Sequence, residues 1–237
     1  MLGLGFTGID EGVSRIEICA DLSWVPAFAG MSGGGEAMAI IRRREVLAGA
    51  GALIARPAWA QAANPKVAIT TDHGVITAEI FQDKAPITAG NFLRYVDTKR
   101  YDDSQFYRAV RVPNAPDLGL IEAGVSMFPT RLLPPIKHEP TTQTGLHHVD
   151  GTLSLARFAP GSGQSDFSIV VGDATYLDAD PSQPGDNLGF AAFGRVTEGM
   201  DVVKAILALP TDGHARNPTM QGQILSPPVK IITMRRV

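Results

Sequence analysis

The chain has 237 residues, 44% hydrophobic and 19% charged, an ordinary globular composition that is long enough for one domain with a real core. Its net charge of -3 gives no sign of a nucleic-acid surface. The single cysteine is Cys19 and all five histidines lie beyond residue 60, so the part expected to fold has no disulfide, thiol nucleophile or cysteine-based zinc site.

Residues 1 to 37 show no sustained periodicity. Gly3-x-Gly5-x-x-Gly8 spells a dinucleotide fingerprint, but no strand precedes it and no acidic partner follows at the right place, so it is read as chance. From Met38 the pattern changes. Arg42, Arg43 and Arg44 form a basic start, Val46 to Ala55 is a short apolar run, and Ala58-Trp59-Ala60 is a small-x-small cleavage site. This is the order of a bacterial secretory signal, and the run is far below the roughly 20 residues that span a bilayer. Arg43-Arg44-Glu45-Val46-Leu47 is similar to a twin-arginine motif, although Arg42 stands where Ser or Thr is usual. No cysteine follows the run, which excludes a lipoprotein anchor. The expectation is a start at Met38, with residues 1–37 outside the native product, a signal peptide over 38–60 and one domain over 61–237. The mature protein is then periplasmic or secreted.

Within that domain, Val67 to Asp72 and Val75 to Phe81 read as a hairpin turning at His73-Gly74. Pro86 opens a helix whose apolar face is Ala89, Phe92, Leu93 and Val96. Strands are expected at Gln105 to Arg111, Leu118 to Ala123, Thr152 to Arg157, Phe167 to Val171, Phe190 to Val196 and Val229 to Val237. Met200, Val203, Ile206 and Leu207 mark a second short helix, and 128–149 and 178–188 read as long loops. Many short strands with two helices predict a closed antiparallel barrel, mainly β, with helices covering its ends. Periodicity alone gives no chemistry.

Six segments, in order, resemble the cyclophilins. Thr77-Ala78-Glu79-Ile80-Phe81 through Asn91-Phe92-Leu93 is similar to their first strand and helix, and Tyr101-Asp102 with Phe106-Tyr107-Arg108 to the segment bearing the catalytic arginine. Gly151 to Arg157 resembles the strand beside the binding groove. Ser165 to Ile169 and Leu177-Asp178 resemble the strand and loop that follow. Gly189 to Val196 and Glu198 to Val203 resemble the late strand and second helix. The resemblance implies an eight-stranded barrel capped by two helices and peptidyl-prolyl cis-trans isomerase activity. It implies no cofactor and no metal. The expected partners are proline-containing peptides and unfolded proteins, met by a monomer without a stable membrane anchor. A low-activity or inactive module that binds proline-containing segments as a chaperone is the alternative.

Isomerisation must twist the imide over a barrier of roughly 18–20 kcal/mol. In the twisted state the nitrogen becomes a better hydrogen-bond acceptor, so a fixed cationic donor favours that state over either planar one. Arginine suits this, being always charged and presenting a rigid fork. Arg108 is the candidate, on a strand whose alternation places it with Phe106 and Val110. Carried over by position, the groove would use Tyr107, Gly119 in place of an aromatic wall, Leu120 for a methionine, Glu122 for a glutamine, Ala156 and Arg157 at backbone contacts, and Asp166 for a glutamine. Ser168 replaces a phenylalanine, Tyr176 a tryptophan or phenylalanine, Leu177 follows it, and Phe190 replaces a histidine or tyrosine. Glu122 is expected to pair with Arg108, and Phe158 is a candidate to fill the space left by the lost aromatic walls. A hydrolase is poorly supported, because Ser, His and Asp somewhere in a chain are common and no Gly-x-Ser-x-Gly elbow follows residue 60. Adjacent His147 and His148 should point apart on a strand, and His138 and His214 should be solvated loop histidines, so no zinc site is expected.

Overall fold

The computed structural model describes residues 63–237. The expected signal segment, its arginine pair and the fingerprint near Gly3 lie outside these residues. Eight strands close into one antiparallel barrel: β1 (Lys66–Thr71), β2 (Gly74–Ile80), β3 (Ser104–Val112), β4 (Ala115–Gly124), β5 (Thr152–Leu155), β6 (Phe167–Val171), β7 (Ala191–Glu198) and β8 (Ile224–Arg236). Their order around the barrel is β1-β2-β7-β5-β6-β4-β3-β8. Every strand expected from the sequence is present. Two begin several residues earlier than their apolar patterns suggest: β4 begins at Ala115 because Pro113 and Asn114 make a two-residue turn, and β8 begins at Ile224. Asn114 takes φ 65°, the left-handed position after proline that a tight turn requires.

Inward residues alternate with outward ones and fill the barrel. Helix α1 (Pro86–Asp97) buries Ala89, Phe92, Leu93 and Val96, the face its periodicity marks. The Phe92 ring lies 5.1–5.4 Å from those of Phe193, Phe167 and Tyr101. Burying one such side chain contributes about 1.5–3 kcal/mol. Helix α1 has no side-chain cap of its own at Ala85. Its first amides instead donate to Glu139, from Ile87 N at 3.2 Å and Thr88 N at 2.7 Å, and the Thr88 hydroxyl adds a third bond at 2.7 Å. A carboxylate at a helix N-terminus satisfies open donors and meets the positive end of the helix dipole. The same contact anchors the 128–149 segment, which carries a short helix α2 (Thr141–Thr144) where only a loop was expected. Helix α3 (Met200–Leu207) adds Val203, Ile206 and Leu207 to the core. Among the described residues no helix is long and apolar enough to cross a membrane.

Strand β3 breaks the expected alternation. Phe106 pairs with Ala123 of β4, yet Arg108 pairs with the very next partner, Glu122. Tyr107 is the extra residue of a β-bulge, so two residues oppose one. Phe106 is fully buried and Ala109 nearly so, while Tyr107 and Arg108 both stay partly exposed. Plain alternation sets Arg108 on the face of Phe106. The bulge corrects this and turns two consecutive polar side chains outward.

Candidate active site

The bulge brings Arg108 against β4 and the start of β8. Arg108 Nη1 donates to Glu122 Oε2 at 2.8 Å, and the Arg108 side chain keeps 21% of its surface. Its Nε and Nη2 both donate to Gln223 Oε1, at 2.9 and 2.6 Å. A guanidinium has five N–H groups, so these three bonds leave two for a ligand. Glu122 is 7% exposed, and its other oxygen accepts from the Tyr107 hydroxyl at 2.7 Å. The same hydroxyl lies 2.9 Å from Asp166 Oδ2. One phenolic hydrogen thus faces two carboxylate oxygens. Burial first, and then the charges of Glu122 and Asp166, push the Tyr107 pKa far above its ordinary value, so it keeps its hydrogen.

Asp166 is fastened from its other side. Its Oδ1 accepts from Ser165 Oγ at 2.7 Å and from Ser126 N at 3.1 Å. A Cβ on Gly124 would stand 1.9 Å from Asp166 Oδ1, so glycine is required where the carboxylate crosses β4. Tyr107, Arg108, Glu122 and Asp166 therefore form one hydrogen-bonded chain. All four are site residues expected from the sequence. Gln223 is not: it lies 115 positions from Arg108 in an unremarkable turn before β8, with no local signal.

The remaining predicted residues divide. Leu120 shares the outward face of β4 with Glu122. Leu120 and Phe190 pack against the small apolar cluster of Val170, Ala174 and Leu177. Through Leu120 this apolar cluster reaches the strand face that carries Glu122, the partner of Arg108. Ser168 lies on the outward face of β6, opposite Glu122 on one side and Ser154 on the other, and is 8% exposed. Gly119 is buried at φ 147°, and a Cβ there would meet the Val110 carbonyl oxygen at 1.9 Å, so it supplies backbone and no wall. Ala156 N donates to the Asp166 carbonyl at 2.8 Å. The Arg157 side chain ties down the 178–190 loop through Gly189 O and a two-bond pair with Asp186, and lies over the Phe190 ring at 5.4 Å. Tyr176 is 63% exposed. Phe158 is 85% exposed, so it fills no part of the groove.

Another polar array lies close by. His148 Nδ1 meets Asp178 Oδ1 at 2.5 Å and its Nε2 meets Ser154 Oγ at 2.7 Å, with Ser154 1% and His148 0% exposed. Asp178 also meets His147 Nδ1 at 2.8 Å. The two histidines sit in a loop and converge on one carboxylate, which corrects the expectation that they point apart. Burial lowers the His148 pKa, against the raising effect of Asp178. Burial acts to raise that of Asp178, but its hydrogen bonds to His148 and His147 win and hold it below the usual carboxylate value. His138 is half-buried rather than solvated and meets Leu188 O at 3.0 Å. No group of three or more His, Cys, Asp or Glu among the described residues is placed to hold a metal.

Residues 66–234 match the family described as cyclophilin type peptidyl-prolyl cis-trans isomerase/CLD. The chain belongs to this family. A peptidyl-prolyl cis-trans isomerase of Acinetobacter baylyi is 36% identical over 177 residues, covering 73% of this chain and 86% of the relative. Peptidyl-prolyl cis-trans isomerase B of Escherichia coli is 36% identical over 149 residues, covering 61% and 85%. In structure, a cyclophilin-type isomerase of Cryptosporidium parvum superposes with a TM-score of 0.55 at 17% identity, covering 73% of this chain and 98% of that one. The same protein was also solved in the presence of the dipeptide Ala-Pro. The cyclophilin fold of the chain is thereby shared with solved members, and its family is one of isomerases.

Proposed function

We propose that this cyclophilin accelerates cis-trans isomerisation of X-Pro bonds in proline-containing peptides and unfolded proteins, acting in protein folding without a covalent step or cofactor, as a monomer. The observation that carries this is Arg108: a guanidinium held on two sides by Glu122 and Gln223, partly exposed, with two N–H groups left over. On the paired strand β4, Leu120 shares the outward face of Glu122 and joins the apolar surface of Leu177 and Phe190. A proline ring on that surface would bring its imide nitrogen within reach of the free donors. Those donors bond the nitrogen better once it is pyramidal, which lowers the barrier rather than deepening a ground state. Ala156 and Arg157, just past the end of β5, would hold the peptide by backbone contacts, with Ser168 and Tyr176 bordering the groove.

Arg108→Ala tests this. A charge-assisted hydrogen bond of about 1.5–3 kcal/mol is at stake, or about 10- to 150-fold in rate. Unchanged kcat/KM on an Ala-Pro peptide series would remove Arg108 from the mechanism. Because the truncation leaves Glu122 buried with only Tyr107, a loss of stability is expected too, and Arg108→Lys separates the lost charge from the lost fork.

Glu122 also favours an alternative reading. Its carboxylate at 2.8 Å neutralises the cation that the reaction needs, as a weakly active module that mainly holds proline-containing segments would tolerate. Peptide binding without rate enhancement would decide for it.

We also propose export, on the basic-apolar-small order of residues 42–60. Mass spectrometry of a periplasmic fraction should find a mature start between Gln61 and Asn64. A cytoplasmic product retaining Arg43 and Arg44 would sink this.

A further inference from the structure

Left alone beside a carboxylate, an arginine closes onto it with two parallel N–H···O bonds. Arg108 does not: it gives Glu122 a single bond, from Nη1. Its Nε and Nη2 both point at Gln223 Oε1, so the side-on edge of the guanidinium is closed to Glu122. Gln223 is itself fixed by main-chain bonds on both sides. Its amide donates to Met220 O at 3.0 Å, and its carbonyl accepts from Ala109 N at 2.9 Å, one residue beyond Arg108. The turn before β8 thus presents a neutral amide oxygen to the bulge of β3 at a set height.

We propose that Gln223 is a positioning residue for Arg108, and that it acts by opposing Glu122. A neutral acceptor on the Nε edge costs the guanidinium none of its charge. It keeps the plane from rotating into a side-on forked pair with the carboxylate, and so keeps the remaining N–H groups of Nη1 and Nη2 turned to the groove. Residue 122 and residue 223 are then linked. With a carboxylate at 122 the opposing oxygen is needed. With an amide at 122 there is little to oppose.

The inference rests on the proposal that Arg108 is the catalytic donor, and a double-mutant cycle on the full chain keeps the two apart. Kinetics on one Ala-Pro peptide series are measured for Gln223→Leu, Glu122→Gln, the double variant and Arg108→Ala, with Tm for each. Expected is a fall of about tenfold in kcat for Gln223→Leu with KM unchanged, and less than about twofold for the same change made on top of Glu122→Gln. A residue that merely supports the turn would cost the same in both backgrounds, and that equality would overturn the proposal. So would wild-type kcat in Gln223→Leu while Arg108→Ala is impaired. Full activity in Arg108→Ala would instead overturn the reading beneath it. If Gln223→Leu does not fold, Gln223→Met, which keeps the length and the flexibility of the side chain, takes its place in the same cycle.

Discussion

Two hydrogen-bonded arrays share the outside of this barrel, one row of strand pairs apart. Asp166–Tyr107–Glu122–Arg108–Gln223 runs from the residue before β6 across β3 and β4 to the turn before β8, and Asp178–His148–Ser154 joins two loops to β5. By residue type the serine-histidine array is the more enzyme-like, with the spacing of a nucleophile, base and carboxylate. It cannot act as one, because Ser154 is 1% and His148 0% exposed and no substrate carbonyl can approach the hydroxyl. The arginine array has no nucleophile, yet its guanidinium is open to solvent and has donors to spare. On the proposed reading, chemistry here depends on unused bonding capacity at a surface. An array whose bonds are all made, and which is sealed, serves the fold.

The sharpest way to break that contrast is to cut the sealed array. His148→Leu removes one buried and one part-buried hydrogen bond and leaves Ser154 and Asp178 short of a partner. It is expected to cost about 3 kcal/mol or more in chemical denaturation, with kcat/KM of the folded protein unchanged. Hydrolysis of a p-nitrophenyl ester by the wild type that disappears in this variant would overturn the assignment of the array to structure.

Next in size is the open array. Glu122→Gln keeps an oxygen for Arg108 Nη1 and turns an NH2 toward the Tyr107 oxygen, whose hydrogen is then free for Asp166. The Tyr107 hydrogen then has one acceptor, where the wild type sets it between two carboxylates. Removing the negative charge beside the donor should raise kcat several-fold without lowering Tm. An unchanged or lower kcat would mean that Glu122 does not limit the rate.

The smallest expected effect is on pH. His148 is held below its unfolded pKa of about 6.5, so the unfolded chain binds its proton first as pH falls. The stability it contributes is complete above about pH 6.5 and is lost as pH falls through the folded value. The slope is at most about 1.4 kcal/mol per pH unit from this group. Urea unfolding from pH 7.5 to 5 should show this decline, and in His148→Leu the decline should shrink to what half-buried His138, also shifted down by burial, supplies. An equal slope in both proteins would show that His148 titrates the same way folded and unfolded.

Much of the fold was legible because strands separated by turn residues announce themselves, and because Ala89, Phe92, Leu93 and Val96 fall on one helical face. The pairing of Arg108 with Glu122 was legible too, since the family resemblance set β3 beside β4. Three features were not. The bulge at Tyr107 carries no glycine or other mark, so alternation counts straight through it. Gln223 and Glu139 act on partners 115 and about 50 positions away, and a lone polar residue in a loop gives no sign of what it will meet. Strand geometry would send histidines 147 and 148 to opposite faces, though a loop lets both turn toward Asp178.

The bulge also separates two kinds of necessity within a single strand. Without Tyr107, Phe106 would point in, Arg108 out and Ala109 in, with the phase kept on both sides of the gap. Loss of one residue usually throws half a strand out of frame and drives charges into the interior. Here the pairing with β4 keeps its phase over the missing position, while on β8 the partners of Phe106 and Arg108 stand five residues apart. Tyr107 is surplus to the β4 ladder, and its hydroxyl is spent on the array it joins.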